Sequence, residues 1–262
     1  MEAKKIVLNG FFLFCVFQIF AQQEMYHKRE FIKDLDTLKY RIMYPKDFSE
    51  ATPYPVVFFL HGAGERGNDN EKQLTHGSTL FSKEENAAAF PAIVIFPQCP
   101  TDDYWSNAKV NRKSNPIKFR FRYGRKPTKA LSLVMDLVSE MLKEPFVKKD
   151  QVYVMGLSMG ALGTFELLYR KPELFAAAVT ICGGGRPRSA KKYAIRVPLW
   201  VFHGAKDNVV DPNLSLKMVS RLLKYGGHPQ FTLYEEANHN SWDPAFAEPN
   251  LLPWLFLNKL RQ

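Results

Sequence analysis

Gln151-Val152-Tyr153-Val154-Met155-Gly156-Leu157-Ser158-Met159-Gly160, running on through Ala161 to Arg170, is the stretch on which the reading of this chain turns. The apolar run 151–155 predicts a buried strand, and 159–170 predicts a helix. Between them Gly156-Leu157-Ser158-Met159-Gly160 has the pattern Gly-x-Ser-x-Gly, which means little alone and much on a strand-to-helix turn. Such a turn holds the serine in a strained backbone conformation, and side chains at Gly156 and Gly160 would collide with neighbouring backbone. Ser158 then sits at a helix N-terminus, whose dipole favours negative charge developing there.

A serine hydroxyl is a weak nucleophile at neutral pH, so it needs a histidine base oriented by a carboxylate. Of six histidines, His239 follows the last predicted strand in a polar loop, Glu236-Ala237-Asn238-His239-Asn240-Ser241-Trp242. His61 and His203 end strands in His-Gly pairs and read as buried structural residues, while His27, His76 and His228 have no supporting context. For the acid, Asp207 follows the strand at 199–202; its competitor Asp211 precedes Pro212 and reads as a helix cap. The oxyanion needs donors, and the glycine-rich turn His61-Gly62-Ala63-Gly64-Glu65-Arg66-Gly67 supplies them. The backbone N–H groups of Ala63 and Met159 are the expected pair.

Around this centre, short runs rich in Val, Ile and Phe at 56–60, 92–96, 151–155, 177–181, 199–202 and 230–234 alternate with helical patterns, the mark of a mostly parallel sheet. Strands at 26–33 and 38–44 are expected to pair antiparallel and complete eight. Helices are expected at 129–143, entered from Pro127-Thr128, and at 159–170, 214–225 and 249–260. The connection 182–198 is too short for a separate lid domain, which leaves the top of the sheet comparatively open.

The chain has 262 residues, 46% hydrophobic and 24% charged, with 15 Gly and 3 Cys, figures that exclude disordered, collagen-like and disulfide-framework classes. Lys4 and Lys5 precede an apolar run from Phe11 to Phe20 ending at Ala21, so 1–21 reads as a signal peptide and 22–262 as one catalytic domain. The run is too short for a membrane span, and no stable membrane insertion is expected after cleavage, so the protein is expected to be secreted or periplasmic. Without residues 1–21 the net charge falls from +10 to +9. Nine cations (Lys109, Arg112, Lys113, Lys118, Arg120, Arg122, Arg125, Lys126, Lys129) lie between Asp103 and Asp136 with no acid among them, leaving the rest neutral. One basic loop on a neutral body argues against a nucleic-acid partner. It is either a solvated loop or a patch that steers an anionic polysaccharide towards the site in a salt-dependent way.

Residues 26–260 resemble the α/β-hydrolase superfamily, in particular secreted esterases of the polyhydroxybutyrate-depolymerase-like and feruloyl-esterase-like kind (carboxylesterase/phospholipase type). The segments that carry the likeness are 61–67, Pro97-Gln98-Cys99-Pro100, 156–160, Ile181-Cys182-Gly183-Gly184-Gly185, Phe202-His203-Gly204-Ala205-Lys206-Asp207 and His239-Asn240-Ser241-Trp242-Asp243. Ser158, Asp207 and His239 fall in that superfamily's nucleophile, acid, base order. The resemblance implies an α/β-hydrolase fold with no separate lid domain, no cofactor or metal, and a serine carboxylesterase working through an acyl-enzyme on an ester substrate, such as acetyl or feruloyl groups on polysaccharide. Two other readings share the pattern. A prolyl-oligopeptidase-like serine peptidase carries the same triad, usually with a propeller for which this length leaves no room, and a non-catalytic binding protein can keep a hydrolase scaffold. Trp105 and Trp242 read equally as substrate contacts or core, and Arg66 as a carboxylate ligand or a partner of Glu65. Cys99 and Cys182 end strands expected to be about 14 Å apart, too far for a disulfide.

Overall fold

A computed structural model describes residues 25–260 of the chain. The segment read as a signal peptide, with Cys15, lies outside the described residues. Among these residues ten strands form: β1 His27–Lys33, β2 Asp36–Met43, β3 Tyr54–Leu60, β4 Ile93–Pro97, β5 Ala108–Asn111, β6 Lys118–Phe121, β7 Val147–Leu157, β8 Ala177–Ile181, β9 Leu199–Gly204 and β10 Gln230–Tyr234. Seven α-helices accompany them: α1 Ser78–Ser82, α2 Glu84–Ala89, α3 Lys129–Met141, α4 Met159–Arg170, α5 Asn213–Lys224, α6 Trp242–Phe246 and α7 Leu251–Leu257.

Eight strands make one sheet in the order β1-β2-β4-β3-β7-β8-β9-β10, antiparallel at β1–β2 and β2–β4 and parallel from β4 onwards. The central strands are buried on both faces, as helix-covered parallel sheets are. Along β3, Val56, Phe58 and Leu60 pack with Leu131, Val134 and Phe165 of α3 and α4, while Val57 and Phe59 join Tyr153 and Met155 in the core that includes Leu251 and Leu255 of α7. Strand alternation thus sends neighbouring residues into two cores. The described chain has the α/β-hydrolase fold. Helix α3 starts where Pro127-Thr128 implies, with the Thr128 hydroxyl accepting the Leu131 N–H at 3.3 Å. Helix α7 is shorter than the 249–260 expected; it tolerates Pro253 only because the missing N–H falls in its first turn, where no intrahelical acceptor exists.

The sheet's upper edge is not as open as its connections suggested. The segment between β4 and α3 folds into the antiparallel hairpin β5–β6, apart from the main sheet. The reading of 182–198 holds, since it contains only a short 3₁₀ turn, but partial cover comes from this other connection. Cys99 and Cys182 are buried and free, and the strands they follow, β4 and β8, are separated by β3 and β7.

Candidate active site

Ser158 joins β7 to α4 with φ +52° and ψ −115°, a region that disfavours any side chain. Its N–H is held by the Ile181 carbonyl at 2.8 Å. The turn exists because its flanks are glycine: a Cβ on Gly160 would run into the Leu60 carbonyl, and one on Gly156 into the carbonyl of Gly160. The sharp bend aims the hydroxyl at His239, whose Nε2 lies 3.0 Å from Ser158 Oγ. His239 Nδ1 lies 2.8 Å from Asp207 Oδ2. With Nδ1 donating to the carboxylate, Nε2 keeps a lone pair for the serine proton.

Asp207 is buried, and burial alone would raise its carboxyl pKa. Hydrogen bonds from His203 and His239, the charge of His239 and the N–H of Val210 outweigh that and hold it well below the usual carboxylate range. Its Oδ1 accepts the N–H groups of Val209 and Val210, both at 2.9 Å, and Oδ2 also faces His203 Nε2 at 3.1 Å. His203 is buried, as expected, yet it is more than packing. Nε2 faces two acceptors, Asp207 Oδ2 and the Val210 carbonyl, so it donates there, while Nδ1 sits 2.7 Å from Ser215 Oγ. The acid and base loops are tied by Asn238, whose side-chain oxygen accepts the N–H groups of Asn208 and His239. They approach so closely that any Cβ on Gly204 would overlap the Ala237 and Asn238 carbonyls. Asp211 accepts the Asn213 N–H at 2.9 Å beside the start of α5, which is its capping role.

The turn after β3 faces Ser158. His61 is fully buried; its Nε2 accepts the Cys99 N–H at 3.0 Å and its Nδ1 contacts the Gly62 carbonyl at 2.6 Å. Burial, helped by the charge of Arg66, pushes its pKa down to about 4, so the ring is neutral at pH 7. Ala63 and Met159 both line the cavity beside Ser158, and among the described residues neither N–H meets a protein acceptor. Two free donors beside the hydroxyl are what an oxyanion requires.

Substrate-side expectations divide. Trp105 is fully buried, donates its indole N–H to the His61 carbonyl at 3.1 Å and packs edge-on against His61. It belongs to the core, because the chain turns inward after β4. Arg66 neither lines the cavity nor pairs with Glu65: its guanidinium donates to the carbonyls of Ala63, Thr101 and Asp103 and braces the turn. Trp242 does line the cavity, with its ring 5.6 Å from that of His239 and 4.9 Å from that of His76. His76, unassigned from sequence, and Glu65 share that wall, 3.8 Å apart. The cavity holds about 170 Å³. Leu157, Met159, Leu162, Val209 and Val210 make it apolar, and Tyr104 and the hairpin residues Arg112, Ile117 and Phe119 complete its wall.

Sequence reading missed the device that holds this hairpin. Glu166 of α4 is fully buried; one oxygen accepts Ser106 Oγ at 2.8 Å and the Asn107 N–H at 2.6 Å, the other pairs with Arg170. Arg170 in turn donates to the carbonyls of Tyr123 and Arg125. One ion pair thus clamps both ends of the insertion to the helix that begins at Ser158. At the tip, the Ile117 N–H bonds the Val209 carbonyl at 2.9 Å, beside the Asp207 loop.

Comparison with known proteins agrees with this architecture. The phospholipase/carboxylesterase family model matches residues 48–248, most of the chain. The chain belongs to that family. A solved thermostable esterase superposes with a TM-score of 0.80 at 33% identity over 90% of this chain and 64% of its own. A bifunctional acetylxylan esterase/xylanase from Neocallimastix patriciarum is 26% identical over 75% of this chain. A ferulic acid esterase from Anaeromyces mucronatus, solved with ferulic acid, has a TM-score of 0.64 over 87% of this chain and 89% of its own; at 14% identity it shows the fold alone. The chain spans a quarter of that bifunctional protein and just under two thirds of the thermostable esterase.

Proposed function

We propose that this chain is a serine carboxylesterase, exported after loss of residues 1–21, with 22–262 as its catalytic domain. The observation that carries the reading is the unbroken path from Asp207 through His239 to Ser158, at 2.8 and 3.0 Å, opening on a cavity with two free backbone donors. Ser158 Oγ attacks the ester carbonyl as His239 Nε2 takes its proton. The tetrahedral oxyanion rests on the N–H groups of Ala63 and Met159, and Asp207 steadies the imidazolium. His239 returns the proton to the departing alcohol, leaving an acyl group on Ser158; water, deprotonated by His239, then releases the acid and restores the serine.

Cavity size narrows the acyl group. About 170 Å³ is close to the ~150 Å³ engineered cavity that accepts benzene. An acetyl group or a single aromatic ring fits within that volume. The likeness to proteins described as acetylxylan and ferulic acid esterases supports acetyl or feruloyl groups on polysaccharide as the natural esters. Ser158→Ala is expected to lower kcat on p-nitrophenyl acetate by about 10⁴-fold or more with thermal stability kept. Turnover in that variant near the wild-type level would overturn the mechanism, and faster cleavage of peptides than of esters by the native enzyme would favour the peptidase reading.

A further inference from the structure

We propose that Arg112 forms a carboxylate-binding subsite beside Ser158, so that the natural substrate is an ester on a uronic-acid-bearing polysaccharide. The proposal rests on the esterase reading and adds the chemistry of the polymer.

The hairpin sorts its charge by strand alternation. Across β5–β6, Val110 faces Phe119 and Ala108 faces Phe121, all half-buried, while Lys109 faces Arg120 and both are exposed. Phe119 reaches the cavity from the apolar face, whereas the outward face carries Lys109, Lys118 and Arg120. Charge at 109–129 therefore does not act as one patch. Arg112, at the hairpin's tip, is the lysine or arginine that borders the cavity holding Ser158 and His239. Of the nine cations, Lys129 meets a carboxylate, Asp36 at 2.6 Å; among the described residues the other eight, Arg112 included, have no acidic partner.

An unpaired arginine at the rim of an apolar cavity suits a carboxylate, which its planar fork can take up with two hydrogen bonds. Its starting point is fixed, since the Glu166–Arg170 clamp holds the hairpin's base and the Ile117–Val209 bond its tip. A held arm loses less entropy on binding than a free loop. Glu65, on the turn after β3, is the acidic residue lining the cavity and repels a carboxylate from its own wall, which directs the acidic group towards Arg112. Directly opposed Lys109 and Arg120 repel each other, as like charges across strands do. A polyanion lying past the hairpin relieves that repulsion, which an isolated small acid would not.

Acetylated oligogalacturonate compared with acetylated xylo-oligosaccharide tests the proposal. The native enzyme is expected to prefer the acidic oligomer, and Arg112→Gln to lower the ratio of the two kcat/KM values about tenfold, mostly through KM. A ratio unchanged by the substitution would overturn the subsite. A separate arm measures the Kd of unesterified oligogalacturonate for the Ser158→Ala protein, where added Arg112→Gln is expected to weaken binding about tenfold. Equal Kd values with and without that change would also overturn it. Should neither acetylated oligomer be cleaved, the acetyl reading falls, p-nitrophenyl acetate and feruloyl ester turnover decide the esterase reading, and the binding arm alone decides for or against Arg112.

Discussion

Ser158 and Arg112 border one cavity, yet their backbones are held by different means. Around Ser158 the constraint is steric and local: two glycines let β7, α4 and the end of β3 approach within contact, and the serine takes a φ of +52° that nothing else there would allow. Around Arg112 the constraint is polar and remote. Glu166 reaches Ser106 and Asn107, sixty residues back along the chain, and Arg170 reaches the outgoing strand's end. Local sterics can be read from a short window of sequence, whereas a clamp between distant segments cannot. On the proposed reading the chemistry resides in the first kind of element and the choice of substrate in the second.

The largest expected effect tests the steric half. Gly160→Ala drives a methyl group into the Leu60 carbonyl, which cannot retreat without moving β3. We expect a loss of about 3 kcal/mol or more in stability, and a fall in kcat of about a hundredfold from displacement of Ser158. Gly124→Ala, beyond the hairpin, is the matched control, since its Cβ would meet nothing within 4 Å. Denaturant midpoints and p-nitrophenyl acetate turnover for the pair would show whether glycine matters by position or merely by composition.

Next in size is the clamp. Glu166→Ala leaves the half-buried Arg170 without its anion and strands the Ser106 hydroxyl, at an expected cost of about 3 kcal/mol. Hydrogen exchange should rise across residues 106–126 while the Ser158 elbow stays protected. Glu166→Gln, which still accepts from Ser106 and Asn107, should recover part of the loss. If the elbow loosened as much as the hairpin, the two would be one cooperative unit and the contrast drawn above would fail.

The same contrast explains what was legible. Helix 159–170, the strands at 177–181 and 230–234 and the three residues now aligned at 3.0 and 2.8 Å follow from periodicity, glycine placement and loop polarity. The hairpin was hidden by its own charge. Lys118-Phe119-Arg120-Phe121 does alternate, but its four residues also belong to a nine-cation run that reads as solvated loop. Trp105 stood after a strand end, where either a mouth or a core residue can sit, and only the inward turn of the chain decided for the core. His203 was placed correctly as buried, but its bond to Asp207 depends on how tightly the strand end curls back on itself.

A pH titration gives the most gradual effect and reports on the turn that faces Ser158. His61 accepts the Cys99 N–H on Nε2, so a proton there would break that bond and charge a ring with no exposure, and burial accordingly lowers its pKa from 6.5 to about 4. In the unfolded chain the ring titrates at its ordinary value, so between pH 6.5 and 4 the unfolded state binds the extra proton. Its contribution to stability is complete above about pH 6.5 and is lost as the pH falls to about 4, with a slope approaching 1.4 kcal/mol per unit and a total of about 3 kcal/mol. Asp207 does not confuse the window: its lowered pKa makes its own contribution fail only below the ordinary carboxylate range. His61→Gln, whose side-chain oxygen can accept the Cys99 N–H at any of these pH values, should flatten the curve by one proton's slope. Urea midpoints from pH 7 to 4 for both proteins would measure the difference; parallel curves would mean that His61 is not held neutral, and that the turn carrying Ala63 is fastened by Trp105 and Arg66 instead.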